Sequence, residues 1–190
     1  NGFVLDEASI PVKEILKGGP PRDGIPALYS PLFVEADEAT YLDADDRVLG
    51  VLVRGKAKAY PIRILDWHEI VNDEIGAQKF AVTYCPLCGT GMVFATNVMV
   101  DDEPTALSFG VSGLLYQSDV LLYDRQTESL WSQVMGEAVV GPLKGTSLPQ
   151  MPVFHTSWQD WRTKHPTTQV LSPETGFGRN YTSSPYDGYD

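Results

Sequence analysis

With 190 residues, 43% of them apolar and 21% charged, the chain has the length and texture of one globular domain with a sizeable core. Fourteen Lys and Arg against twenty-five Asp and Glu give a formal charge of −11, a field that repels phosphate backbones and anionic lipid. Nucleic acid and membrane surfaces are therefore poor partners, and no run approaches the ~18 consecutive apolar residues of a membrane span.

The first forty residues mix Gly, Pro and acidic side chains with little periodicity. A first residue other than methionine is expected of a processed or trimmed chain. Ser9 to Leu16 reads as a short helix, with Ser9 as N-cap and Pro11 in its first turn. The breaker cluster Gly18-Gly19-Pro20-Pro21-Arg22-Asp23-Gly24 follows, so residues 1–40 are expected to form an arm packed on the domain. Its glycines lack the lysine-serine ending of a phosphate loop. Residues 41–172 form the expected core domain. Val48 to Arg54 and Lys56 to Tyr60 read as a hairpin about Gly55, and Ile62 to Val71 as a helix. Gln78 to Tyr84 reads as a buried strand. Gly91 to Thr96, Thr105 to Phe109, Asp119 to Tyr123 and Ser129 to Gln133 are further short strands. Trp158, Trp161 and Arg162 recur at helical spacing between Ser157 and His165, and Pro166 ends that helix. Residues 173–190 are rich in Gly, Ser and Tyr and read as an extended tail. The sum is an α+β, strand-rich single domain: mainly antiparallel sheet, a few short helices, and irregular N- and C-terminal arms.

The two cysteines of the chain lie in Tyr84-Cys85-Pro86-Leu87-Cys88-Gly89-Thr90-Gly91, at a strand end. Two thiols at this spacing can share a metal ion, close a disulfide or alternate between those states. Glycine after the second cysteine suits a knuckle turn whose amide hydrogens face sulfur. The expected third ligand is His68, carried by the preceding helix, with Glu69 and Asp66 orienting its imidazole. Two thiolates and an imidazole suit Cu or Zn, and three protein ligands leave an open position for Met92, a carboxylate, water or a second chain. The competing reading is a dithiol oxidoreductase in which Cys85 is the accessible nucleophile and Cys88 resolves. Pro86 is compatible with a helix start that would depress the Cys85 pKa, but Gly89-Thr90-Gly91 begins a helix badly. Two idle, buried cysteines are the bland alternative.

A second cluster runs from Gly113 through Tyr116 and Asp119 to Gln133. Arg125 could clamp a carboxylate or phosphate, and Asp119 or Tyr116 could act on protons. On the bland reading Arg125 pairs with Asp124 or Glu128 in a hairpin. His165, in the last turn of its helix, fits a structural role, and His155 sits in a connector. No Gly-x-Ser-x-Gly elbow supports a serine hydrolase.

The blocks Gly50 to Tyr60 with Ala59-Tyr60-Pro61, Trp67-His68-Glu69-Ile70-Val71-Asn72-Asp73, Thr83 to Gly91, Gly110-Val111-Ser112-Gly113-Leu114-Leu115-Tyr116 and Leu130-Trp131-Ser132-Gln133 resemble, in this order, a widespread bacterial and archaeal family of unknown function. Its members are often exported. The resemblance implies that His68, Glu69, Asn72, Cys85, Cys88, Tyr116, Asp119, Arg125, Trp131 and Gln133 occupy the family's motif positions. It also implies an extracytoplasmic location, exported or periplasmic. Members often continue past the point matching Tyr186-Asp187-Gly188-Tyr189 into a second, degenerate half.

The reading that follows is a metal-thiolate protein. Cys85, Cys88 and His68 hold one Cu or Zn ion; Cys85, Cys88 and Asp119 carry any chemistry; Tyr116, Arg125 and Glu69 contact a small ligand; no organic cofactor is expected. Dithiol exchange and a small-anion module centred on Arg125 are the alternatives, and enzymatic activity and homo-oligomerisation stay open.

Overall fold

The structure is a computed structural model and describes residues 2–188. Short β-branched and aromatic runs alternate with turn residues, and they form three five-stranded sheets and one separate hairpin. The first sheet orders Ile15–Lys17, Phe109–Tyr116, Asp119–Asp124, Leu130–Ser132 and Glu137–Val140, all antiparallel. The second orders Gln150–Met151, Thr90–Ala95, Gln78–Cys85, Ile70–Ile75 and Leu28–Tyr29. The third orders Phe154–Ser157, Arg47–Val53, Lys56–Pro61, Gln169–Leu171 and Phe33–Glu35. Antiparallel pairing dominates, and the two parallel pairs are made by late or early segments: Leu28–Tyr29 on Ile70–Ile75 at a sheet edge, and Gln169–Leu171 on Lys56–Pro61 one strand in from the edge strand Phe33–Glu35. The strand-rich α+β expectation holds at this level.

The second sheet lies between two cores, and the two-residue period of its strands decides what each face meets. Phe80, Val82 and Tyr84 point into a core shared with Leu49, Val51 and Tyr60 of the third sheet. Ala81 and Cys85 point the other way, into a core shared with Phe109, Val111, Val120 and Trp131 of the first sheet. A strand covered on both faces has no polar alternation, which is why Lys79-Phe80-Ala81-Val82-Thr83-Tyr84 reads as one nearly continuous apolar run. Cys85 is therefore aimed at the first sheet by strand parity alone.

The helix Trp158–Lys164, capped by Ser157 Oγ accepting from the Asp160 N–H, covers the outer face of the third sheet with Trp158 and Trp161. On the outer face of the first sheet, Phe3, Leu5, Ala8 and Ile10 pack over Leu114, Leu121, Tyr123 and Val139.

Three local expectations change. The helix expected over Ser9 to Leu16 is a single 3-10 turn, Val12–Glu14, without a side-chain cap, followed by the strand Ile15–Lys17. Pairing of Ile15 to Lys17 with Tyr116 to Leu114 gives that backbone sheet partners, and tertiary pairing wins over a weak local preference. The helix expected to reach Val71 stops at His68, because Glu69 adopts φ 57° and the β-branched Ile70-Val71 enters a sheet. The expected strand Thr105 to Phe109 is split between the hairpin strand Glu103–Ala106 and the strand Phe109–Tyr116. Beyond these, residues 1–40 lend one strand to each of the three sheets. Described residues after Pro173 form no helix or strand, but they cross the helix Ile62–His68, with Trp67 Nε1 donating to the Ser183 carbonyl at 2.9 Å.

Candidate functional site

Cys85 ends one strand, Thr90 begins the next, and the two residues pair across the hairpin that Pro86 to Gly89 closes. Gly89 takes φ 61°, a conformation that side-chain-bearing residues reach only under strain, and this returns the chain to the sheet immediately after Cys88. No helix starts at Pro86, so neither thiol receives a helix N-terminus. The knuckle geometry prevails over the thioredoxin-like one.

The first sheet supplies the third member. Tyr116 and Asp119 face each other across a two-residue hairpin whose residues Gln117 and Ser118 both have positive φ, 50° and 66°. That turn type matches sheet twist but normally uses Asn or Gly, so the chain accepts local strain to hold Asp119 beside the cysteines. One ligand atom from each of Cys85, Cys88 and Asp119 lies within 4.8 Å of the other two. Cys88 Sγ is 3.7 Å from Asp119 Oδ1 and 3.8 Å from the Cys85 carbonyl, while Cys85 Sγ is 3.9 Å from the Ser118 carbonyl. Asp119 Oδ2 accepts from the Val134 N–H at 3.0 Å, which fixes the carboxylate from behind.

Burial sets the protonation of this group. Cys85 is fully buried and Cys88 is exposed. Burial, with the hydrogen bond from Cys88 next, pushes the Cys85 thiol far above its ordinary range, although the backbone N–H groups of Cys88 and Val120 act in the opposite sense. Burial also raises Asp119, against the N–H of Val134 and the neighbouring thiol of Cys88. Without a positive charge among them, burial biases the Cys85 thiol and the Asp119 carboxyl toward their protonated forms. A cation would reverse that balance.

Order of exposure corrects the dithiol expectation. Cys85 was expected as the accessible nucleophile, but its sulfur is enclosed and Cys88 meets solvent. Strand parity buries the first cysteine, and the turn lifts the second.

His68 does not join the cluster. The helix Ile62–His68 buries its ring between the arm and the tail: Nδ1 meets the Pro26 carbonyl at 2.7 Å and Nε2 the Tyr181 hydroxyl at 2.6 Å. Phe177 and Tyr181 pack on the ring, and burial lowers its pKa. Both nitrogens are in use, so His68 is a latch between segments, and the potential ligand that lies beside the two cysteines is Asp119 instead. Glu69 and Asp66 do not orient the imidazole either. Glu69 Oε1 accepts from the Tyr186 hydroxyl at 2.9 Å, and Asp66 lines a surface cleft with Ser184.

Arg125 is also committed elsewhere. Its Nη1 and Nη2 donate to the two oxygens of Asp23 at 2.9 and 2.7 Å, and Nε donates to the Tyr29 hydroxyl at 2.8 Å. A carboxylate clamp was expected, and the carboxylate is the protein's own. Tyr116 is half-buried opposite Asp119 and Ile15. Asn72 ties the second sheet to the first, donating to the Leu28 and Phe109 carbonyls and accepting from the Phe109 N–H. His155 Nε2 lies 3.0 Å from the Gly91 carbonyl, His165 stacks on Trp161, and Met92 packs in the core shared with Cys85.

Gln133 is closer to the centre than its sequence suggests. Fully buried, it donates through Nε2 to Thr83 Oγ1 and the Thr90 carbonyl, while Oε1 has no partner among the described residues. Sequence reasoning missed Tyr181, Tyr186 and Asp23. The aromatic spacing of the tail was a signal for the first two; nothing local pointed to Asp23.

No curated protein and no solved structure matches the chain significantly. Residues 22–190 match the family described as "Protein of unknown function (DUF3179)", which spans all the residues named above as site members, and the chain belongs to that family.

Proposed function

We propose that Cys85, Cys88 and Asp119 hold one transition-metal ion, and that the protein works as a metal-thiolate centre with an accessible coordination position on the Cys88 side. The observation that carries this is the convergence of three ligand atoms within 4.8 Å, contributed by two different sheets. Two thiolates and a carboxylate form a borderline set. The hard oxygen favours Zn²⁺ over Cu⁺, which prefers sulfur throughout. Metal entry would displace the thiol protons, so uptake should release protons and steepen with rising pH. Three protein ligands leave room for water or a small molecule, the pattern of a reactive rather than a closed structural site.

Elemental analysis of protein purified without chelator tests the reading. Close to one equivalent of metal is expected, lost in Cys85→Ser and strongly reduced in Asp119→Asn. Below about a tenth of an equivalent in correctly folded wild-type protein, the proposal fails.

The unequal exposure of the cysteines supports a second reading, a dithiol reductant. Here Asp119 accepts the Cys88 proton, the Cys88 thiolate attacks a substrate disulfide, and Cys85 closes the Cys85–Cys88 disulfide, releasing two substrate thiols. Cys85→Ser should then trap mixed disulfides at Cys88, and trapping at Cys85 in Cys88→Ser would contradict the assigned order. Action outside the cytoplasm is part of both proposals. Retention of the mature protein in the cytoplasmic fraction of its host would remove that part.

A further inference from the structure

Beside the cysteine turn lies a second feature that the metal reading does not use. A cavity of about 420 Å³ opens between the arm, the first sheet and the tail. Its walls are largely apolar, including Leu87 of the cysteine turn, Val111, Leu115 and Val120. Backbone forms part of the rest. Gly18 donates to the Gly113 carbonyl at 2.9 Å, and Gly113 takes φ 73° at the bulge between Val111 and Leu114. A Cβ on Gly113 would stand 2.3 Å from the Pro20 carbonyl oxygen, so the arm and the sheet can approach this closely only through glycine.

Two polar side chains reach this cavity from one side, Glu69 and Tyr186. Glu69 is 4% exposed. The chain holds it at φ 57°, where its N–H caps Leu65 and its carbonyl accepts from the Tyr84 N–H, each at 2.7 Å. A non-glycine residue at such a helix end is strained, and outliers of this kind gather at functional positions. Tyr186 engages Oε1, while Oε2 has no hydrogen-bond partner among the described residues. Burial, opposed by the Tyr186 hydroxyl and assisted by Asp66, lifts the carboxyl to about 7. Of the other charged groups nearby, Lys17 lines the cavity, and His68 faces away toward Pro26 and Tyr181.

We propose that this cavity binds a small neutral molecule with an apolar body and one carbonyl or hydroxyl group, whose oxygen is held by Glu69. The volume is that of an ordinary small-molecule site, and a few convergent polar groups in apolar walls are its usual construction. A carboxyl lifted to about 7 is divided between both forms at neutrality, and its protonated form donates to a carbonyl oxygen while its ionised form accepts from a hydroxyl. An anion would meet a buried acid in a protein of charge −11, and a cation would face Lys17. The inference stands apart from the metal centre, since neither sulfur lines the cavity.

Titration of the reduced full chain with cyclohexanone, followed by amide chemical shifts, tests it. Saturable shifts are expected at Gly18, Glu69, Leu87, Gly113 and Val120. Cyclohexanecarboxylate and cyclohexylammonium should give weaker ones. Leu115→Trp fills the cavity and should abolish them, while Glu69→Leu should weaken binding about five- to tenfold by removing one hydrogen bond. Glu69→Gln retains a donor and should bind within about twofold of wild type at neutral pH. Cys88→Ser should bind as wild type does, whatever becomes of the metal reading. Absence of saturable shifts up to the solubility limit would overturn the proposal. So would shifts indifferent to both Leu115→Trp and Glu69→Leu in proteins with native spectra, or tighter binding of either ion.

Discussion

Two turns of the first sheet carry dense polar sequence, and the structure treats them oppositely. In the turn after Asp124, every polar group is matched. The fully buried Asp124 accepts from the Thr127 N–H at 2.6 Å, from Thr127 Oγ1 at 3.0 Å and from Trp131 Nε1 at 2.9 Å. Ser129 Oγ contacts Thr127 and accepts from the Leu143 N–H, and Arg125 leaves the turn to grip Asp23. Around Asp119, one carboxylate oxygen accepts from the Val134 N–H at 3.0 Å, but the other oxygen and the two thiols meet only long sulfur contacts of 3.7 to 3.9 Å, one thiol is exposed, and nearby Gln133 Oε1 is unmatched among the described residues. A saturated cluster is a structural knot. An unsaturated one, with neutral or like-charged acids crowded together, is where the proposed cation or reactant would be taken up.

Breaking the saturated side should cost the most. Asp124→Ala strands Trp131 Nε1 in the core and removes the acceptor of two half-buried Thr127 donors, and a loss of about 3 kcal/mol in denaturant melts is expected, enough to threaten folding. A loss under about 1 kcal/mol would mean the turn is not the knot described.

The next largest effect lies at the edge of the unsaturated region. Glu69 titrates at about 7 in the folded protein against an ordinary 4.5, so the folded state binds the extra proton between those values. Stability should therefore fall as pH rises from about 4.5 to about 7, by on the order of 3 kcal/mol, and stay lower above that. Glu69→Gln, with no proton to lose, should be more stable than wild type at pH about 8 and indistinguishable from it at pH about 4. Parallel stability curves for the two proteins would refute the assignment.

Arg125→Lys sharpens the comparison at smaller scale. An ammonium cannot reproduce the two-pronged contact with Asp23, but the pair is partly exposed, so a loss of about 1 kcal/mol is expected with metal content unchanged. Loss of metal in that variant would join the two regions that the structure separates.

What the sequence revealed follows the same division. The hairpin at Gly55, the strand into Cys85 and the Ser157-capped helix are specified locally, by alternation, turn glycine and capping oxygen, and each appears within a residue or two of its expected span. The cysteine knuckle was legible because its spacing and its glycine are contiguous. Its third member was not. Helix order suggested His68, but which side chains face Cys85 depends on strand parity in the middle sheet and on the Tyr116–Asp119 hairpin of another sheet. Likewise, the partners of His68 are Pro26 and Tyr181, from segments that read as irregular arm and tail. Local chemistry marked the candidate centre; long-range pairing chose which side chains gather there.

The most direct test of that choice is X-ray absorption at the Zn edge on reduced protein reconstituted with one equivalent of Zn²⁺. Two sulfur scatterers at ~2.3 Å and oxygen scatterers at ~2.0 Å are expected, with Asp119→Asn altering the oxygen shell and His68→Gln leaving the spectrum unchanged. A spectrum dominated by imidazole that His68→Gln alters, or one without sulfur, would contradict a centre made of Cys85, Cys88 and Asp119.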